Sequence, residues 1–518
     1  MTERIAPPAL QIMVNTTVSI VALPPFANIS LKAHLIQIMK EKVRFSTLHL
    51  WILPLLLFTI SSVYGQNKIS KSLLVKDLDI LKSNLEQIHP GLYTYTPKAG
   101  IDEWFLKTKE SLGDSMSYYQ FYELVAPLNS LIKNGHSFVA SNRFSENYKI
   151  LPVRLYKYKE SFFVADAFTE EYKSLIGKEI VAIEGVDVAT LFNKLLTYQT
   201  RDGENLTFPT EKLLQFFNLD YSLGYGSKDS YGITLIDDAE KKDLTLKSVL
   251  WKDVKFYERK PLQDYLSFSI KDSVALLKLM TFDKGKLRKA GYKKILKDAF
   301  NTIEKNNIGH LIIDVRNNGG GDAQPNQELI SYLYPEEFRL FKSISTITNK
   351  IEDKKYYKNE GVFLLNNVLS WLKLKRTREN YYRVKTAGSD SYQPKANNFK
   401  GNLYILTNGR SFSATGEFTS FIKNHRSAIF IGEEVGGNQF QNTSGLGYYI
   451  TLPNSKLRML IPTVLWEMNV SVTNDGHGVK PDYWVRNSIQ EQVKQVDSVM
   501  DFTLRLIRDK SKMDGDEK

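Results

Sequence analysis

The sequence predicts an α/β multidomain protein: a helical N-terminal region, then a small α+β domain, then an α/β core. Three observations carry this. Apolar residues recur at spacings of three and four through residues 70–134, short runs alternating with polar residues fill 150–256, and continuous apolar runs alternate with helical patterns from 264 onward. The chain of 518 residues has room for roughly two to four domains. Its 42% hydrophobic and 24% charged residues exclude wholesale disorder, collagen and a multi-span membrane protein. It has no cysteine, which removes disulfide scaffolds, thiolate metal sites and cysteine nucleophiles together. The formal charge of +12 is spread thinly along the chain, so it speaks for solubility and weak attraction to anionic surfaces, not for nucleic-acid binding.

Residues 1–65 read as a leader. Lys40, Lys42 and Arg44 precede an apolar stretch from Leu48 to Ile60, and Val63-Tyr64-Gly65 has the small-x-small character of a cleavage site ahead of Gln66. The stretch is short, and His49, Pro54 and Thr59 interrupt it, which disfavours a membrane span. A signal peptide beginning at Met39 is expected, with residues 1–38 an over-extended start. The expected location is therefore outside the cytoplasm, in a bacterial periplasm or secreted, with no stable membrane span after cleavage.

The elements follow in order. Leu73, Leu74, Leu78, Leu81, Leu85 and Ile88 mark the first helix, which His89-Pro90-Gly91 ends. Helical patterns continue through Ile101–Ser111 and Tyr118–Lys133, and Asn134-Gly135 is a turn leading to His136. In the second region Leu151–Tyr156, Phe162–Ala165 and Ile180–Ile183 read as strands, Gly185 as the centre of a hairpin turn and Ala189–Leu196 as a helix. In the core, Val274–Lys278, Leu311–Val315, Leu403–Thr407 and Ala428–Ile431 read as strands. Lys286–Asn306, Gln324–Leu333 and Ala414–Lys423 read as helices. Residues 345–399, rich in Lys, Tyr and Asn, read as an insertion. Tyr448–Leu452 and Leu457–Ile461 form a hairpin around Pro453-Asn454-Ser455, and a helix closes the chain after Val485.

Two strand-to-helix junctions carry chemistry. Leu403–Thr407 runs into Asn408-Gly409-Arg410-Ser411-Phe412-Ser413-Ala414, so a serine stands above the sheet edge near the positive end of a helix dipole. That placement suits a nucleophile whose attack creates an oxyanion, and it equally suits a serine that caps the helix. Leu311–Val315 runs into Arg316-Asn317-Asn318-Gly319-Gly320-Gly321-Asp322. Its glycines can turn backbone N–H groups toward an anion, or simply make a tight turn. A phosphate loop is disfavoured, because the GxxxxGK[ST] pattern is absent and no lysine follows the glycines. A serine needs a base. Of the seven histidines, His34 and His49 lie in the leader, and His89, His310 and His425 stand at element ends. His136 and His477 remain as candidates. No G-x-S-x-G elbow, zinc-spaced histidine pair or dinucleotide fingerprint is present, and Ser130-Leu131-Ile132-Lys133 lacks the companion motifs of S-x-x-K enzymes. No cofactor and no metal site are expected.

Taken together the motifs resemble peptidase family S41, the tail-specific and C-terminal processing proteases with their tricorn-core relatives. Asn134-Gly135-His136-Ser137 resembles the D-G-H-T element, Asp314–Gly321 the D-x-R-x-N-x-G-G signature and Ser411-Phe412-Ser413-Ala414 the T-x-S-A motif. Ile431–Gly437 resembles I-G-E-x-T-x-G, Gly476–Asp482 the closing G-x-G-V-x-P-D, and Gly177–Val188 part of a PDZ domain. After the leader at 1–65, the resemblance implies a helical region at 66–148 carrying His136 and a PDZ-like α+β domain at 149–258. It further implies a ClpP/crotonase-like α/β catalytic core at 259–490, with the insertion at about 345–399, and a C-terminal helix and tail at 491–518.

By position, the resemblance makes Ser413 the nucleophile and the backbone N–H groups of Gly319, Gly320 and Ala414 the oxyanion donors. The tail-specific branch uses a lysine base after I-G-E, yet Val435–Gly445 contains none. That points to the tricorn-core branch, in which a histidine serves, here His136. The orienting serine of that branch is replaced by Gly135, which leaves Glu467 and Asp475 as candidates for the third group. The implied function is an exported serine endopeptidase working through a Ser413 acyl-enzyme on proteins or peptides, recognised at their C-terminus if the PDZ-like domain binds them. The rival reading is an inactive envelope protein of the same fold that holds peptides or a small apolar ligand. A third, acyl-CoA chemistry on a crotonase-like core, conflicts with the leader.

Overall fold

Four apolar runs bounded by turn residues become largely buried parallel strands, as sequences of that kind do, and the short exposed strand Tyr483–Trp484 adds a fifth at the edge. The sheet order is Leu266–Lys271, Val274–Leu279, His310–Asp314, Asn402–Thr407, Ile429–Gly432 and Tyr483–Trp484; the first pair is antiparallel and every later pair parallel. Side chains alternate between the faces with the period of two that strands impose. Leu311, Ile313, Leu403 and Ile405 point to one side, against helices Tyr292–Lys305, Ala323–Ser331 and Ala414–His425. Ile312, Tyr404, Leu406 and Ile431 point to the other, against Val499 and Ile507 of the C-terminal helix Ser498–Asp516. All the carboxyl ends of the parallel strands therefore open on one edge, where open α/β sheets bind their ligands.

This computed structural model describes residues 68–516 apart from 141–146, 255–264, 349–353, 358–373, 378–380, 385–390 and 445–446. The leader lies outside the described residues, as does much of the 345–399 insertion. Of that insertion, Leu374–Arg376 and Tyr382–Val384 join Phe341–Thr346, Leu465–Met468 and Gln441–Asn442 in a five-stranded sheet.

The N-terminal helices are Lys71–Ile88, Lys98–Glu110, Tyr118–Val125 and Leu128–Ile132. The single pattern read over Tyr118–Lys133 is thus two helices, interrupted at Ala126-Pro127, where proline lacks the N–H that a continuous helix needs. Lys286–Asn306 likewise divides into Lys284–Lys289 and Tyr292–Lys305, because Gly291 adopts φ 77° between them. The second region is a sheet in the order Glu240–Lys247, Ser230–Asp237, Glu179–Ile183, Ser161–Ala167 and Val153–Tyr158. Its Glu179–Ile183 and Val186–Asp187 hairpin turns at Glu184 and Gly185 as expected. The 19-residue helix Thr207–Tyr225 went unread, since its aromatic-rich segment lacks a clean polar face. Buried residues of the N-terminal helices, this sheet and the hairpin Gly447–Thr451/Arg458–Pro462 form one continuous core. The short strand Phe138–Ala140 pairs with Arg458–Leu460 of that hairpin.

Candidate active site

Ser413 stands at the start of helix Ala414–His425 with φ 58° and ψ −123°, a left-handed region that a serine rarely adopts. Holding it there costs about 1–3 kcal/mol, a kind of strain that collects at functional sites. The same sharp turn exposes the serine of other strand-to-helix elbows. Its side chain makes no capping bond to the helix. Instead Ser413 Oγ lies 3.1 Å from His136 Nε2. Ser411, the other serine of the motif, is fully buried and donates to the Val315 carbonyl at 2.8 Å. The motif therefore divides into a structural serine and one presented to an imidazole.

The two loops lock together. The Phe412 N–H donates to the Asn318 carbonyl at 3.0 Å, Thr415 Oγ1 donates to the same oxygen at 2.9 Å, and Asn317 and Asn408 exchange hydrogen bonds at 2.9 and 3.1 Å. Arg316 grips Asp314 and, through two 2.7 Å bonds, Asp497 beside the C-terminal helix. Gly320 has φ 92°, and a Cβ there would lie 2.6 Å from the Phe412 carbonyl oxygen and 2.7 Å from Ser413 Cβ. Only glycine lets the loop come this close. The Gly320 N–H donates to Asn318 Oδ1 at 2.9 Å. It is thereby engaged inside its own loop, which moves the expected donor role away from it. The N–H groups of Gly319 and Ala414 have no protein acceptor among the described residues, and a Cβ on Gly319 would meet open space.

His136 belongs to a turn held by side chains from distant segments. Its N–H donates to Asn134 Oδ1 at 3.2 Å, and Thr443 Oγ1 donates to the same oxygen at 2.8 Å. Thr200 Oγ1 bonds the carbonyls of Asn134 and Ser137. Asp202 accepts from the Gly135 N–H at 2.6 Å and from the Asn438 N–H at 3.3 Å. Burial pushes the Asp202 carboxyl up to about 6 against the pull of these two donors. The imidazole stacks on Phe412 (centroids 4.8 Å apart, 23° between planes), and Phe412 stacks on Phe208 (4.0 Å, 10°). A Cβ on Gly135 would lie 2.5 Å from the Phe412 ring, so the residue before the histidine must be small for the stack to form. Burial holds the imidazolium of His136 down to about 4, so the ring is neutral at neutral pH.

The two carboxylates expected to orient His136 stand elsewhere. Glu467 faces Ser343 across the five-stranded sheet and bonds Ser343 Oγ at 3.0 Å and Lys342 Nζ at 2.7 Å. Asp475 accepts from the His477 N–H at 3.0 Å within its own loop. Neither has a hydrogen bond to His136, whose buried Nδ1 has no partner among the described residues. His477 pairs through Nδ1 with Glu434 at 3.0 Å rather than with a serine. Among the described residues no group of three or more His, Asp or Glu is placed to hold a metal ion.

Sequence reading missed Asp202, Thr200, Phe208 and the role of the Phe412 ring. Asp202 sits in Arg201-Asp202-Gly203-Glu204, which reads as an ordinary polar turn, and nothing in its spacing ties it to Gly135.

The family model for peptidase family S41 matches residues 273–485. Comparison with curated proteins gave no match by sequence. Among solved structures, mature CPAF complexed with lactacystin is similar at 15% identity and TM-score 0.58, over 85% of this chain and 99% of that one. A CPAF mutant reaches TM-score 0.60 at 13% identity, over 82% and 95%. A putative peptidase from Parabacteroides merdae stands at TM-score 0.42 and 14% identity, over 84% and 96%. At such identities the CPAF likeness concerns the fold. The family match spans the central sheet from its second strand to its last, including both loops that meet at Ser413. Residues 273–485 are thus a peptidase family S41 domain, and the chain is a serine-type peptidase, a hydrolase.

Proposed function

We propose that this peptidase is an exported endopeptidase in which His136 activates Ser413. The observation that carries the reading is the 3.1 Å approach of His136 Nε2 to a serine held in a strained elbow. The neutral imidazole takes the hydroxyl proton as Ser413 Oγ attacks a peptide carbonyl. The Gly319 and Ala414 N–H groups, the second at the N-terminus of a 12-residue helix, donate to the oxyanion, while Gly320 supplies close approach. His136 then protonates the leaving amine, and water resolves the acyl-enzyme by the reverse path. No carboxylate stabilises the imidazolium in this scheme. The face of Phe412 orients the ring and offers a cation–π contact worth about 0.5–2 kcal/mol.

The sheet of residues 153–247 fits the PDZ-like domain expected from the family, and the surrounding α/β core its ClpP-like scaffold. The edge strand Val153–Tyr158 has the Val153 carbonyl bonded by Asn218 Nδ2 at 2.6 Å. That occupies one edge acceptor at the start of the strand, which an added strand would otherwise use. Export rests on the leader, and no helix among the described residues is long and apolar enough to cross a membrane.

The test is cleavage of unfolded casein by the purified protein beside Ser413→Ala and His136→Ala. Loss of about three orders of magnitude or more in both is expected. Retained cleavage by His136→Ala would remove the proposed base. A serine-reactive fluorophosphonate, or lactacystin, the ligand of the CPAF complex, tests occupancy of the site without a substrate.

A further inference from the structure

Two cations that form no ion pair among the described residues stand near His136 in the chain's packing. Phe138 follows His136 by two residues, and Lys212 Nζ lies 5.4 Å from the centre of its ring. Lys212 belongs to the helix whose Phe208 supports Phe412; four residues separate them, about 6 Å along the helix axis. Phe138 meets Tyr449 edge-on at 6.3 Å, and the Arg458 guanidinium lies over the Tyr449 ring at 4.3 Å. Strand register explains the grouping. Phe138 and Tyr449 both pair with Leu460, and Arg458 pairs with Ala140 and Thr451, so these side chains share one face of the three-stranded sheet. Val139, Met459 and Ile450 fill the opposite face and are buried in the core.

Neither cation has an ion pair among the described residues, and Arg458 Nε is buried without an acceptor. The Tyr449 hydroxyl is buried without a partner as well. The nearest acidic influence on Lys212 is Asp220, two turns further along the helix, and it is held by Gln199 Nε2 at 2.8 Å. Burial lowers the ammonium of Lys212 below the usual lysine range. An unpaired cation taken out of water is costly, and two of them on one half-buried face need an explanation beyond stability.

We propose that Lys212 and Arg458, on the ring platform of Phe138 and Tyr449, form a subsite for a carboxylate of the peptide substrate. The inference rests on the peptidase reading, because it places an extended peptide across Ser413 and His136. The guanidinium offers paired N–H donors and the ammonium a mobile point charge, while the two rings pack the apolar stem of the residue that bears the carboxylate. The carboxylate belongs either to an Asp or Glu side chain or to the substrate's C-terminus, which have the same chemistry.

Binding separates this from catalysis. Fluorescein-labelled extended peptides are titrated into the full chain carrying Ser413→Ala, with anisotropy as the readout. One peptide has an internal Glu and a C-terminal amide, the second has Gln and a free carboxylate, and the third has Gln and an amide. One acidic peptide is expected to bind about tenfold tighter than the neutral one, and which one identifies the source. Lys212→Met is expected to lose most of that difference and Lys212→Met/Arg458→Met all of it. Equal binding of all three peptides, no binding by any, or a preference that survives Lys212→Met overturns the subsite. The single lysine variant keeps the test valid if the double variant fails to fold. Cleavage of casein by the unmutated chain is measured in parallel. A preference for acid without cleavage keeps the subsite and removes the endopeptidase reading, and cleavage without a preference does the reverse.

Discussion

Ser413 hangs from two adjacent parallel strands, His310–Asp314 and Asn402–Thr407, whose loops are stitched to one another by backbone and asparagine bonds. His136 hangs from a turn outside any regular element, fixed by single side chains of Asp202, Thr200 and Thr443 and by a ring stack. Ser413 inherits its position from the sheet, so moving it requires moving backbone. His136 is positioned piece by piece, so it should yield by degrees. The two sides ought to fail differently when disturbed.

Two glycines test this most severely. At Gly320 an added Cβ meets backbone: the Phe412 carbonyl oxygen at 2.6 Å and the Ala414 nitrogen at 2.8 Å, at a φ of 92°. Nothing there can rotate away. Gly320→Ala is expected to displace the Gly319 and Ala414 donors and reduce kcat by about 100- to 1000-fold, the cost of an oxyanion donor. At Gly135 the added atom meets side chains rather than backbone, the Phe412 ring at 2.5 Å and Asp202 Oδ1 at 2.9 Å. Gly135→Ala is expected to cost less, about ten- to 100-fold, by loosening the imidazole. Steady-state kinetics on one peptide substrate compares them, and a larger loss at Gly135 would refute the contrast.

Asp202 comes next. It serves two buried N–H groups, one on the base's turn and one on the loop beside the nucleophile. Asp202→Ala leaves both unsatisfied, at about 1–3 kcal/mol each. The expected result is a lowered Tm and a fall in kcat with KM little changed, since the turn moves rather than the substrate cleft. Asp202→Asn keeps an acceptor and should recover much of the activity. Its pH signature has a definite sign. A carboxyl raised to about 6 in the fold, from an ordinary value near 3.8, favours the fold while protonated; that stability is fully present below about 3.8 and is lost as pH rises through 6. Asp202→Asn should abolish this loss, which urea midpoints across that window would show.

Phe412 tests what orients the ring. Phe412→Leu keeps apolar bulk and removes the π face, and about tenfold lower kcat is expected. Phe412→Tyr should restore most of it. If leucine and tyrosine behave alike, the stack is packing only, and some other contact orients His136.

The legibility of the site divides along the same line. Ser413, Ala414 and the glycine loop could be placed from sequence because a buried strand ending in a polar turn before a helix constrains geometry locally. His136 was found through its turn signal and the family's element, not through any periodicity. The third group was sought among acids, at Glu467 and Asp475, because charge is visible in a sequence and ring stacking is not. Phe412 stands between two serines, where an aromatic residue reads as core. The helix holding Phe208 and Lys212 was missed because tertiary packing, not an amphipathic stripe, stabilises it. Four of the six central strands, each an apolar run between turn signals, are legible to within a residue; Leu266–Lys271, which alternates with polar residues, and the two-residue Tyr483–Trp484 are not.

The smallest expected effect lies beneath the nucleophile. Glu417, one turn into the Ser413 helix, is buried, and its Oε1 accepts from Asn442 Nδ2 at 2.8 Å. Glu417 Oε2, Asn326 Oδ1 and Asn442 Oδ1 are buried acceptors without a donor among the described residues. A proton on Glu417 supplies one of the missing donors. Burial pushes this carboxyl up to about 7, against the amides of Asn442 and Asn326. The neutral acid thus favours the fold, a contribution fully present below about 4.5 and lost as pH rises through 7. At about 1.4 kcal/mol for each decade of proton affinity, its upper size is ~3 kcal/mol. Glu417→Gln keeps the shape and the neutral charge, so its urea midpoint should decline less than that of the unmutated chain between pH 4.5 and 8. Asp202 and Glu433, also raised by burial, titrate in both proteins and cancel in the difference. Parallel declines would mean that Glu417 is ionised throughout, and the helix behind Ser413 would then carry a buried negative charge opposing the oxyanion it has to stabilise.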